Sequence, residues 1–148
     1  MSFPIELNLI ENGFIAKFDC NVDEIIIPVD IVVMDGTSKL VSSKALIDTG
    51  ASGSGISFSK AKEINFSLFQ SNRTLEGVNG EPQKALVGNN LLIRFPGNQI
   101  IVIKEIIGVT EKEGFDLIFG IDMLKIWDFS ILRSKHETFV TFKRSNVD

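Results

Sequence analysis

Asp48 is the residue in this chain whose type and setting best suit chemistry. It follows the apolar run Ala45-Leu46-Ile47, and the small residues Thr49, Gly50 and Ala51 come directly after it. Such a run reads as a buried strand that ends inside the protein. Asp48 stands where the strand breaks, and Gly50 permits a turn that a larger residue would make only under strain. A carboxylate on an apolar floor is a candidate for acid/base work. The plainer alternative is a strand ending in an Asx turn, with Asp48 bonding its own backbone. An Asp-Thr-Gly tripeptide arises by chance in roughly a few per cent of chains of this length. The rest of the chain therefore has to decide.

Other groups offer less. His136 and Cys20 are each the single residue of their kind. No Cys/His or Ser/His pairing and no metal-ligand cluster stands out, so neither metal nor cofactor is expected. Asp122 reads as the cap of a short helix, while Asp19, Asp23, Asp30 and Asp35 fall in turns or at strand edges. The stretch Gly50 to Gly55 has the composition of a phosphate cradle but lacks the G-x-x-x-x-G-K-[ST] pattern, so it reads as loop.

Composition bounds the rest. With 148 residues, 44% hydrophobic and 23% charged, the chain reads as one ordinary globular domain with a real core. A formal net charge of -4 argues against a nucleic-acid or anionic-membrane surface. Apolar runs such as Ile25 to Ile27 and Ile100 to Ile103 are too short to span a bilayer. The first residues lack the pattern of a signal peptide, and a lone cysteine fits a reducing compartment. A cytoplasmic location is the expectation, and the sequons at Asn65 and Asn72 are read as chance.

The elements that must position Asp48 are nearly all strands. Alternating residues on either side of Asn12-Gly13 predict an N-terminal hairpin, free to pair with the core or with a second chain. A strand follows over Ile25 to Val33, with Pro28 marking an edge or bulge. Leu40 to Ile47 returns as the strand that carries Asp48. Ile56 to Ile64 reads as a short helix capped by Ser57 or Ser59. Thr74 to Pro82 contains Asn79-Gly80, a strong hairpin signal. Leu86 to Phe95 and Gln99 to Val109 are further strands around the turn at Pro96-Gly97-Asn98. Phe115 to Leu124 is a second apolar run ending in a glycine, followed by a short helix as far as Trp127. A last hairpin runs from Phe129 to Phe142, and the tail from Lys143 is expected to fray. Closely spaced strands of this kind predict an all-β barrel or sandwich. Leu46 to Gly50 and Leu117 to Gly120 also look alike, a weak internal repeat of strand, glycine turn and helix.

Taken together, A-L-I-D-T-G-A-S, I-S-F-S-K-A-K-E-I, a glycine-bearing hairpin, D-L-I-F-G-I-D-M-L and a closing F-V-T-F resemble a retropepsin-like aspartic protease. The likeness is nearest to gypsy-type retrotransposon protease domains and their stand-alone relatives, and spans roughly residues 25–142 of a single domain. It implies a small closed barrel of mostly antiparallel strands with one or two short helices, acting as a homodimer. Asp48 would be the catalytic aspartate, Thr49 the lock between two active-site loops and Gly50 the turn. Ala51 and Ser52 would line the substrate cleft, and Gly77, Val78, Asn79 and Gly80 would form the tip of a flap over it. Leu117, Ile118, Phe119 and Gly120 would support the active-site loop from beneath. One departure is clear: Ile121 occupies the place where retroviral members usually carry an arginine. Residues 1–22 fall outside the likeness.

The function so implied is hydrolysis of peptide bonds in an extended polypeptide. Two carboxylates flank one water and share a proton, one acting as base and the other as acid. A two-fold dimer would supply two copies of Asp48. The competing readings are a non-catalytic dimer of the same fold that binds peptide or scaffolds a partner, and an unrelated β-barrel whose Asp-Thr-Gly is coincidental.

Overall fold

The structure, a computed structural model, describes residues 3–36, 38–76 and 82–145. Along the chain the elements are β1 (Glu6–Ile10), β2 (Gly13–Phe18), β3 (Ile25–Val33), β4 (Lys39–Ile47), β5 (Ser54–Ser57) and α1 (Phe58–Glu63). Then come β6 (Phe69–Glu76), β7 (Pro82–Arg94), β8 (Ile100–Val109), β9 (Leu117–Phe119), α2 (Ile121–Leu124), β10 (Trp127–Arg133) and β11 (Thr138–Arg144). No helix among the described residues is long and apolar enough to cross a membrane.

Six strands close into a barrel in the order β3-β4-β9-β5-β8-β7, sealed where Asp30 to Val32 of β3 pair with Leu92 to Arg94 of β7. An ion pair fastens this seam, with Arg94 Nη2 2.9 Å from Asp30 Oδ2. Pro28 lies outside the seam, on the part of β3 that has β4 on one side only, as expected of a proline without an N–H. Most neighbours are antiparallel, but β4 with β9 and β5 with β8 run parallel. Period-two alternation turns Ile101 and Ile103 of β8 inward, and after the exposed pair Lys104-Glu105 Ile106 is buried again, in the same core as Ile27, Ile31, Ala45, Ile56 and Leu117.

The second sheet has the order β1-β2-β11-β10 and joins both hairpins within one chain. The partner of the N-terminal hairpin is thus the C-terminal hairpin, and Lys143 and Arg144, expected to fray, continue β11. The N-terminal turn differs by one residue from the expected Asn12-Gly13. Ile10 pairs with Gly13, so Glu11 and Asn12 make the turn and Asn12 takes the positive φ of 61°. Gly13 is needed for space instead: a Cβ there would run into the carbonyl oxygen of Phe142.

This sheet lies on the barrel through an aromatic cluster. Phe14 stacks on Phe142 with centroids 4.8 Å apart, and Trp127 meets Phe95 edge-on at 4.9 Å. Phe95 in turn lies 5.5 Å from Phe119 of β9. Each such fully buried ring contributes ~1.5–3 kcal/mol. The floor beneath Asp48 is therefore propped from below by the second sheet.

Two boundaries depart from expectation. Ser54 and Gly55, expected in a loop, open the buried strand β5, because Gly55 fits against Val109 where a side chain would crowd it. The helix after Gly120 ends at Leu124, and Trp127 starts β10 instead of ending the helix. Ser57 does cap α1, accepting a hydrogen bond from Lys60 N at 3.1 Å.

Candidate active site

Asp48 leaves the end of β4 at a point fixed by β9. Ala45, Leu46 and Ile47 pair in parallel with Leu117, Ile118 and Phe119, and Asp48 N–H donates to the Phe119 carbonyl at 3.0 Å. The two stretches that look alike in sequence are thus neighbours in space. Asp48 Oδ1 accepts from Gly50 N–H at 3.0 Å, and Ala51 N–H closes on the Asp48 carbonyl at 3.2 Å. The Asx turn is real, and it holds one carboxylate oxygen in place. Oδ2 has no partner among the described residues, and the carboxyl is half-exposed. One oxygen is anchored and the other is available.

Thr49, Gly50 and Ser52 are exposed beside it, and Ala51 is half-buried. Ala51 reaches the supporting strand, its carbonyl accepting from Ile121 N–H at 2.8 Å. Gly120 must be glycine on space alone. A Cβ there would sit 2.5 Å from the Gly53 oxygen and 2.7 Å from that of Ala51. Leu117, Phe119 and Gly120 are buried and Ile118 half-buried, directly under the turn. The arms of the hairpin expected to form a flap pair as Thr74 with Lys84, Leu75 with Gln83 and Glu76 with Pro82. The expected tip, Gly77, Val78, Asn79 and Gly80, lies outside the described residues.

Two positions beside this turn escaped the sequence reading. Asp122 was expected to cap α2, but Gly120 is the N-cap and makes no side-chain bond. Asp122 instead ties α2 to the strand after the catalytic turn: Oδ1 accepts from Ser54 Oγ at 2.8 Å and Oδ2 from Ser54 N–H at 3.2 Å. Ser54 Oγ accepts in turn from Gly120 N–H at 3.1 Å. This part-buried network joins the segment after Asp48 to the segment after Gly120.

No group of three or more His, Cys, Asp or Glu among the described residues could hold a metal. The one resolved pKa shift lies at Glu111, where the hydrogen bonds from Ser59 lower the carboxyl below its ordinary range. That contact steadies the start of α1, away from Asp48.

A closed six-stranded barrel, an Asp-Thr-Gly turn at the end of β4 and a glycine-ended strand beneath it define a retropepsin-like all-β fold. A retropepsin-like aspartic protease from Rickettsia conorii superposes with a TM-score of 0.58 and 17% identity, over 86% of this chain and 90% of that one. The retroviral protease-like domain of Ddi1 from Leishmania major gives 0.51 and 19%, over 84% and 98%. No protein-family model and no curated protein matches the chain.

Proposed function

We propose that this protein is an aspartic endopeptidase that works as a homodimer and cuts extended polypeptides. The observation that carries the reading is the state of Asp48, with Oδ1 fixed by Gly50 N–H and Oδ2 unpartnered at a half-exposed turn. A hydrolytic water needs such an oxygen, and it needs a second carboxylate to share the proton. One chain brings one Asp-Thr-Gly. A two-fold axis beside Thr49 brings the other, with the exposed Thr49 side chains meeting across it. The singly protonated pair then activates water from one side and protonates the peptide carbonyl from the other, without a covalent intermediate. The β6–β7 hairpin closes over the substrate and adds main-chain hydrogen bonds to it. Neither metal nor cofactor has a role in this chemistry. A reducing compartment such as the cytoplasm suits the exposed thiol of Cys20.

The test is incubation of the protein with a denatured protein mixture at several pH values, with new termini read by mass spectrometry. Wild type should generate them and Asp48→Asn should not. Equal cleavage by both would end the reading. Silence from a wild type that still binds extended peptide would favour the non-catalytic dimer.

A further inference from the structure

A second cleft, of about 750 Å³, opens beside the catalytic turn. Its near wall is Ser52 to Ser54, the segment that continues directly from Asp48, and its far walls are α2 and the outward face of β8. The floor is apolar and uncovered. Ile100 and Val102 are 49% and 48% exposed, on the face of β8 opposite the buried Ile101 and Ile103. Lys104, Lys125 and Arg144 stand around this floor. None of the three side chains has an ion-pair or hydrogen-bond partner among the described residues. Two acids line the cleft as well: Asp122, whose carboxylate is held toward Ser54, and Glu105.

A chain of net charge -4 thus places three cations and two carboxylates, a net positive charge, around exposed isoleucine and valine. Burial of the apolar floor and neutralisation of the cations call for the same occupant, an extended segment with apolar residues and Asp or Glu among them. We propose that this cleft is an exosite for the polypeptide substrate, and that it grips an apolar, acidic stretch outside the bond that is cut. The proposal rests on the endopeptidase reading of Asp48 and extends it to substrate choice. Contacts away from the reacting bond are the same before and in the transition state, so they lower KM and leave kcat unchanged. Exposed charge pairs are individually weak, so three together should change kcat/KM about tenfold, and less at high salt.

The experiment uses one cleavable core sequence with an acidic-apolar, a neutral-apolar, an acidic-polar or a lysine-apolar flank, placed on either side. The acidic-apolar flank should give the lowest KM at unchanged kcat. Lys104→Glu with Lys125→Glu should move the preference to the lysine flank, while the core peptide without a flank is cut as by wild type. In parallel, fluorescence anisotropy measures binding of the same peptides to the Asp48→Asn protein. Cleavage indifferent to the flank overturns the exosite and leaves the protease standing. Charge-dependent binding without any cleavage keeps the cleft and removes the protease. An acidic-polar flank that works as well as the acidic-apolar one reveals a general anion patch and overturns the proposal. Absence of both cleavage and binding removes both.

Discussion

Ser54 Oγ lies 2.8 Å from Asp122 Oδ1, and through this contact the strand after the catalytic turn is tied to the helix after the supporting strand. Asp122→Ala strands the buried Ser54 hydroxyl and N–H, which costs about 1–3 kcal/mol. Thermal unfolding should show the loss, and kcat should fall because the turn bearing Asp48 loosens. Asp122→Asn keeps an acceptor for Ser54 and should recover much of both. An alanine variant with unchanged melting temperature would show that the contact carries no weight.

Gly120→Ala should be as damaging without removing any hydrogen-bonding group. The new methyl would press on the carbonyl oxygens of Ala51 and Gly53, which are backbone and cannot rotate away. Overpacking of this kind costs ~1–3 kcal/mol. Denaturant melts measure it directly, and a variant as stable as wild type would refute the close approach.

The carboxylate pair sets the pH dependence of cleavage. In the proposed dimer two carboxylates would share one proton, and only the singly protonated pair would be competent. Activity should fall at low pH, where both are protonated, and again at higher pH, where both ionise. The profile should be bell-shaped with its optimum on the acid side of neutral. A flat profile from pH 3 to pH 9, on the order of the full working range of carboxylates and histidine, would exclude this chemistry.

Glu111 should titrate below the ordinary glutamate value in an NMR pH series. Its Oε1 accepts from Ser59 N–H at 2.6 Å, which favours the charged form. The lowered folded-state value means that the contact contributes stability above the ordinary glutamate pKa and loses it as pH falls through the lowered one. The group is fully exposed, so the midpoint and not the melting temperature is the proper readout. Glu111→Gln should abolish the pH-dependent part of the Ser59 amide shift.

Much of the barrel was legible because its strands alternate and its turns use residues with one physical meaning. Asp48 could be found from the apolar run before it and the glycine after it. The glycine at position 120 was legible from its place at the end of a second such run. What could not be read was pairing between distant residues of unremarkable type. Ser54 looked like part of a Gly/Ser loop until its hydroxyl had the Asp122 carboxylate beside it. Asp122 sits where caps sit, and only barrel closure brings Ser54 near enough to claim it. The N-terminal hairpin was visible, yet its partner depended on where the other end of the chain returns.

That return fixes an order of events in synthesis. Residues 13–18 pair with residues 138–143, so the second sheet waits until residues 138–143 have been made. Ribosomes add about 5–20 residues per second, and the barrel strands, complete by Phe119, are available before β10 and β11 emerge. Trp127 and Phe142, which prop Phe95 and through it Phe119, come last. A barrel formed before β10 and β11 are made therefore lacks the aromatic prop beneath Phe119, and with it the support under the turn that bears Asp48.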